Sequence, residues 1–422
     1  MHKLICCFFI CFSVASFGQI ENAKRITKTL CSKEFHGRGY VNNGVEIASQ
    51  FIASEFKKIG VKPIKKSYFQ AFQHPVNTFP GKLIVQQKNK VLQSGIHYLV
   101  DPSSGGGKFE LNPKFLSIET LLNQEQLASA ISLLLSERKF NAIGLNFSNF
   151  SADTLKKVAG LKEELAQFFP VIEIVKSKFT WSVSDEQLKF PIIQIQDSVF
   201  QINSLVEIEL DALKIQDFTS KNIIGFIPGK NKKLPPFIFT AHYDHLGQMG
   251  SETYFPGGND NASGVAMLLE LARYFKENKQ ERSIYFIAFA GEEAGLLGSK
   301  YFVAHPLIPL NMIGFLMNVD IMGSGEEGVT IVNASLFEKE FQQLVAINEE
   351  QHFLKTIKSR GPAANSDHYW FTKAGVPAFF MYTMGPNKNY HDVFDTFEAL
   401  SFNEFNDIHQ LLIQFCQHFK TN

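Results

Sequence analysis

From Lys221 onward the chain alternates short apolar runs with amphipathic helical segments, and the runs lead into groups that a buried sheet cannot leave unpaired. Phe237 to Thr240 ends near His242, Ile284 to Ala290 just before Glu292, Met312 to Val319 at Asp320, and Ala378 to Thr383 shortly before His391. Between the first two runs, Ser263 to Phe275 puts Val265, Leu268, Leu269, Ala272 and Phe275 on one helical side. Strands separated by helices imply an α/β fold with a mostly parallel central sheet and helices on both faces. Ligands in such sheets collect at the carboxyl ends of the strands, where these acidic and imidazole residues fall.

The remaining chain divides around that pattern. A helix is expected over Ile47 to Ile59, with Ala48, Phe51, Ile52, Phe56 and Ile59 on one face and Gly60 as its stop. From about Gly81 the character changes to short β-like runs, at Ala142 to Phe147, Phe169 to Val175 and Phe190 to Ile195. A Ser/Gly loop at Ser103 to Gly107 and a helical segment over Ile118 to Leu135 precede them. Residues 81–214 read as an inserted, smaller, strand-rich domain with no chemistry of its own. Residues 19–80 and 215–422 form the main domain. Its last helix carries Phe405, Ile408, Leu412, Phe415 and Phe419 inward, and Ser401 with Glu404 predicts a capping box at its start.

Lys3 followed by the apolar run Leu4 to Val14 and small residues at Ser16 and Gly18 predicts a signal peptide over 1–18, cleaved before Gln19. The run is too short to span a bilayer stably, so the expectation is an exported protein, periplasmic or extracellular, with no transmembrane anchor. Export makes a disulfide between Cys31 and Cys416 permissible, yet two cysteines do not make a disulfide-built scaffold. With 41 basic and 41 acidic side chains in 422 residues, no net charge recommends nucleic acid or an anionic membrane as partner. The 42 phenylalanines read as core filling. Oligomeric state is not legible.

Each candidate residue has a chemical reason. His242 and Asp244 lie two apart, so on a strand they share a face, and a carboxylate beside a metal-binding imidazole fixes its tautomer. His245 would point the other way. Asp260 sits in the turn Gly257-Gly-Asn-Asp-Asn-Ala-Ser-Gly264, where glycines would let the backbone approach an ion and leave both Asp260 oxygens free to bridge two cations. Adjacent glutamates diverge, so one of Glu292 and Glu293 can ligate while the other faces a water. Asp320 ends a strand, and His391 lies in the loop Tyr390 to Thr396. Isolated buried carboxylates cost many kcal/mol, and two divalent cations would compensate all of them together.

These stretches resemble peptidase family M28, the co-catalytic di-zinc aminopeptidases. The matching motifs are AHYDHLG around His242, GGNDNASG around Asp260, AFAGEEAGLLGS around Glu292, NVDIMG around Asp320 and YHDVFDT around His391, with CSKEFHGRGYVNNG near the N-terminus. The inserted stretch looks like a protease-associated domain, Phe190-Pro-Ile-Ile-Gln-Ile195 being its best fragment. The resemblance implies one zinc held by His242, Asp320 and a bridging Asp260, and a second held by Asp260, Glu293 and His391. It implies Glu292 as general base and Asp244 as partner of His242. Cobalt or manganese could occupy the same donor set. The implied activity is removal of N-terminal residues from peptide substrates by a metal-activated water. A glutaminyl-peptide cyclase on the same scaffold, a carboxypeptidase and a non-catalytic binding relative stay open as alternatives. Asp392 departs from the pattern by adding a carboxylate beside a ligand, and could perturb the second site or face solvent.

Overall fold

A computed structural model of the chain describes residues 18–136, 140–148 and 150–419. The segment read as a signal peptide lies outside the described residues except for Gly18, which opens a helix over 18–30. No described helix is long and apolar enough to cross a membrane.

The main sheet is built from β1 (Lys62–Pro63), β2 (Phe69–Thr78), β3 (Leu213–Ile227), β4 (Phe237–His242), β5 (Ile284–Phe289), β6 (Phe315–Asp320), β7 (Gly328–Val332), β8 (Ile357–Ser359) and β9 (Ala378–Met384). Its order is β1-β3-β5-β4-β6-β9-β7-β8, with β2 paired to β3 outside that path. The four central strands β5, β4, β6 and β9 run parallel, as expected, while β3 and β7 flank them antiparallel. Every residue of β4 and β6 is buried, which is why these runs read as continuously apolar rather than alternating. Met312, placed in a strand from sequence, instead closes the short turn Leu310–Met312, and β6 begins at Phe315.

Both faces are covered. On one, Phe237, Phe315 and Phe379 meet Phe415 and Phe419 of the C-terminal helix Phe405–His418 and its end, the Phe315 and Phe379 centroids lying 5.0 Å apart at 77°. On the other, Ile224, Ile238, Ile287 and Leu316 pack with Phe302 and Phe371 of helices Leu297–Ala304 and His368–Lys373. Full burial of each such side chain stabilises by about 1.5–3 kcal/mol, so phenylalanine supplies the core as expected. The Gly44–Ile59 helix starts three residues before the expected Ile47. It stops at Gly60 (φ +83°), whose N–H returns to the carbonyls of Phe56 and Lys57.

The expected capping box does not form. Glu404 stands at the helix start without a side-chain cap, and the Ser401 hydroxyl instead donates to Glu326 Oε1 at 2.5 Å. Cys31 and Cys416 are buried free thiols.

Residues 83–210 build two smaller sheets. A five-stranded one runs Tyr98–Val100, Ile192–Gln196, Val171–Val175, Ala142–Asn146, Pro113–Leu116; a four-stranded one runs Lys90–Val91, Leu83–Gln87, Val206–Leu210, Gly107–Leu111. Their shared core includes Trp181 and extends to Leu246, Met249 and Phe255, on the loops that follow β4. The strand-rich region is therefore packed against the carboxyl end of the main sheet.

Candidate metal centre

Parallel pairing fixes where the candidate residues arrive. Ala241 and His242 of β4 register with Ala288 and Phe289 of β5, and Thr240 with Asn318 of β6. His242, Glu292, Glu293 and Asp320 therefore emerge together at one end of three adjacent strands. Asp260 joins them from the glycine-rich turn and His391 from the loop after β9.

Asp260 is the centre of the arrangement. Its Oδ1 lies 3.1 Å from His242 Nε2, and its Oδ2 lies 3.1 Å from His391 Nε2. His391 Nε2 is also 3.2 Å from Glu293 Oε2. Donor atoms of His242, Glu292 and Glu293 all lie within 4.8 Å of one another, as do those of His245, Asp260 and Glu293. Asp320 stands behind His242, its carboxylate held by Asn261 Nδ2 (2.5 Å), Asn318 Nδ2 (2.8 Å) and the Ser366 hydroxyl (2.5 Å).

The electrostatics follow from crowding acids in a largely buried region. Burial opposes charge on His242, yet Glu292, Asp320 and Asp260 outweigh it and hold its pKa well above the ordinary imidazole value. His391, opposed by burial in the same way, is driven up to about 11 by Glu293 and Asp260. Burial, and then the charges of Glu293, Asp367 and Asp320, push Glu292 well above the carboxylate range, against the pull of His242. Such a surplus of carboxylates converging on two imidazoles, with no thiolate, is a donor set for hard or borderline divalent cations.

Several groups hold the ligand-bearing loops. Asp244 sets its carboxylate beside the His242 ring as its spacing suggested, though at a distance, Oδ1 lying 3.9 Å from Nδ1. Its carbonyl oxygen accepts from His242 Nδ1 at 3.2 Å, while its carboxylate oxygens accept the N–H groups of Glu292 (3.2 Å) and Glu293 (3.3 Å) and the Tyr40 hydroxyl (3.0 Å). It thus fixes the glutamate pair. Asp395 does the same for Asp260, accepting the N–H groups of Asn259 and Asp260 at 2.9 and 3.0 Å. Asn261 ties the turn to both strands, donating to the His242 carbonyl (3.2 Å) and Asp320 while accepting from Ile321 N–H (3.1 Å). The turn needs glycine for packing: Gly257 has φ +57°, and a Cβ there would fall 2.3 Å from the Asp260 carbonyl oxygen.

Sequence reasoning missed four of these residues. His245 does not point away: its Nδ1 lies 2.7 Å from Glu293 Oε1. Arg38, fully buried, donates to the carbonyls of Tyr243, Leu30, Pro256 and Gly257 at 2.7–2.9 Å and more weakly to that of Asp260. Asp367, beside Ser366, is buried with no hydrogen bond on either carboxylate oxygen, and burial pushes it up to about 8. Asp395, inside the quoted YHDVFDT stretch, was passed over for its neighbour His391.

A mainly parallel α/β sheet presenting a shared carboxylate between two imidazoles defines a metal-centre scaffold. Residues 222–416, a little under half of the chain, match the family model "Peptidase family M28". Among curated proteins, aminopeptidase YwaD of Bacillus subtilis is 32% identical over 210 residues, 47% of this chain and 43% of that protein. A vacuolar membrane protease of Candida glabrata is 26% identical over 51% of this chain and 22% of its own. In each case the match spans less than half of the relative's length. Among solved structures, the zinc aminopeptidase BSAP of Bacillus subtilis superposes with TM-score 0.67 at 21% identity, over 93% of this chain and 94% of that one. A peptidase M28 precursor from Shewanella amazonensis gives 0.65 at 14% identity, over 96% of each. Both likenesses establish the whole-chain fold.

Proposed function

We propose that this chain is an exported di-zinc aminopeptidase. The observation that carries the reading is Asp260, each of whose oxygens faces a different imidazole at 3.1 Å, the disposition of a carboxylate shared by two cations. His242 and Asp320 would complete one site with it, and Glu293 and His391 the other. The ions, when bound, supply Lewis acidity that lowers the pKa of water and stabilises developing oxyanion charge. Glu292, partly exposed and adjacent to Glu293, takes the proton of the attacking water and returns it to the leaving amine. Asp244 holds both glutamates by their N–H groups, so the base and a ligand are set by one side chain. The names of the Bacillus relatives support cleavage at the N-terminus of a peptide. Residues 81–214 are taken as an insert resembling a protease-associated domain, and residues 1–18 as the export signal.

Glu292→Gln should keep its zinc and lose about 100-fold or more in kcat, the usual weight of a general base. Assayed on amino-acyl amides, N-blocked peptides and N-terminal glutaminyl peptides, the native protein should hydrolyse the first class, leave the second intact and form no cyclised product from the third. Cleavage of N-blocked peptides, cyclisation of glutaminyl substrates, or full turnover by the variant would each overturn the assignment.

A further inference from the structure

The inserted region showed no chemistry of its own in sequence, yet it touches a proposed ligand directly. His391 Nδ1 donates to the Trp181 carbonyl oxygen at 2.9 Å, and the Trp181 N–H donates back to the His391 carbonyl oxygen at 2.8 Å. A proton fixed on Nδ1 by a backbone carbonyl leaves the Nε2 lone pair for a cation, and Nε2 is the atom that faces Asp260 and Glu293.

The Trp181 backbone is itself pinned. Its indole Nε1 donates to the Val100 carbonyl at 2.7 Å, and its ring stacks on Phe255 at 4.7 Å and 15°. Phe255 lies five residues before Asp260, so one side chain links both ligand loops. Three residues upstream, Lys178 Nζ donates to the Lys388 carbonyl (2.6 Å) and pairs with Asp392. Asp392 is buried and accepts the Phe394 N–H at 2.8 Å, so the departure from the family pattern is a buried anchor, neither exposed nor aimed at the cluster. The grip has work to oppose, since His391 is held at φ +53°, a left-handed backbone that a side-chain-bearing residue adopts only when its surroundings impose it.

We propose that the Lys178–Trp181 segment is the positioning element of the His391 metal site, so that affinity for the second cation depends on contact between the insert and the His391 loop. Lys178, Trp181 and Asp392 are positioning residues. This rests on the di-zinc reading above. The first site would share Asp260 but take its other two residues, His242 and Asp320, from strands of the main sheet, so its affinity should depend far less on the insert.

The test is competitive zinc titration of the metal-free full-length protein against a chromophoric chelator, on the native chain and on Lys178→Met, Lys178→Arg and Trp181→Phe. The native chain should show two binding steps. One step or none would refute the di-zinc reading itself, apart from the insert's role. Lys178→Met, with native folding checked by far-UV circular dichroism, should weaken one step about tenfold or more and leave the other within about twofold, with Lys178→Arg restoring most of the loss. Trp181→Phe should weaken the same step. Two native-like steps in Lys178→Met would overturn the proposal, as would equal weakening of both steps.

Discussion

Removing the guanidinium of Arg38 should loosen both ligand loops at once. The group is enclosed by carbonyl oxygens, with four donor contacts of 2.7–2.9 Å to residues 30, 243, 256 and 257, two of which precede the Asp260 turn directly. Arg38→Met keeps the length of the side chain and strands the carbonyls of residues 30, 243 and 256, each costing about 1–3 kcal/mol when buried without a partner, while that of Gly257 keeps the Ala262 N–H at 3.1 Å. Taking the low end gives about 3 kcal/mol, and relief of the guanidinium's own desolvation, which lowers its pKa, offsets part of this. The expected net loss is about 2 kcal/mol. Urea unfolding of metal-free protein, followed by far-UV circular dichroism, isolates that loss from any stabilisation by bound cations. Arg38→Lys should recover less than half, because a single ammonium cannot span the fork of acceptors. A midpoint for Arg38→Met within about 1 kcal/mol of native would refute the claim that Arg38 organises the turn.

Other expectations follow from the core and from buried histidines. Phe315→Ala, which removes the ring between Phe237, Phe379, Phe415 and Phe419, should cost about 3–5 kcal/mol in the same urea assay. Burial lowers the pKa of His368 and His409 to about 4, below the usual 6.5, so both are neutral in the folded chain and charge more readily when unfolded. Their contribution is therefore full above about pH 6.5 and lost as pH falls toward 4, at most about 3 kcal/mol each, and His409→Gln should flatten the measured stability slope across that window. Asp395→Asn, which leaves one of the Asn259 and Asp260 N–H groups facing an amide instead of a carboxylate, should weaken zinc binding about tenfold by the same chelator titration.

Strand-terminal acids were legible because burial makes them expensive and the apolar runs announce where the strands stop. His242, Asp260, Glu293 and His391 meet as those runs implied, and Asp320 stands beside them. His245 was misjudged because alternation was carried past the strand: β4 ends at His242, and residues 243–247 are loop, where a two-residue period no longer decides direction. Asp244 does lie 3.9 Å from His242 through Oδ1, but its hold on the Glu292 and Glu293 N–H groups has no signature in the spacing. Arg38 was invisible because its partners are backbone carbonyls, which carry no side-chain signature. The clasp between Trp181 and His391 joins positions 210 residues apart and uses only main-chain atoms of Trp181, so no local pattern marks it. The capping box at Ser401 was overridden when Glu326, brought in from the loop before β7, took the hydroxyl.

The most direct test of the account is anomalous diffraction at the zinc edge from crystals of the zinc-loaded chain. Two peaks on either side of the Asp260 carboxylate, roughly 3.5–4 Å apart, one against His242 and the other against His391, are the expected result. A single peak, or peaks away from Asp260, would contradict it.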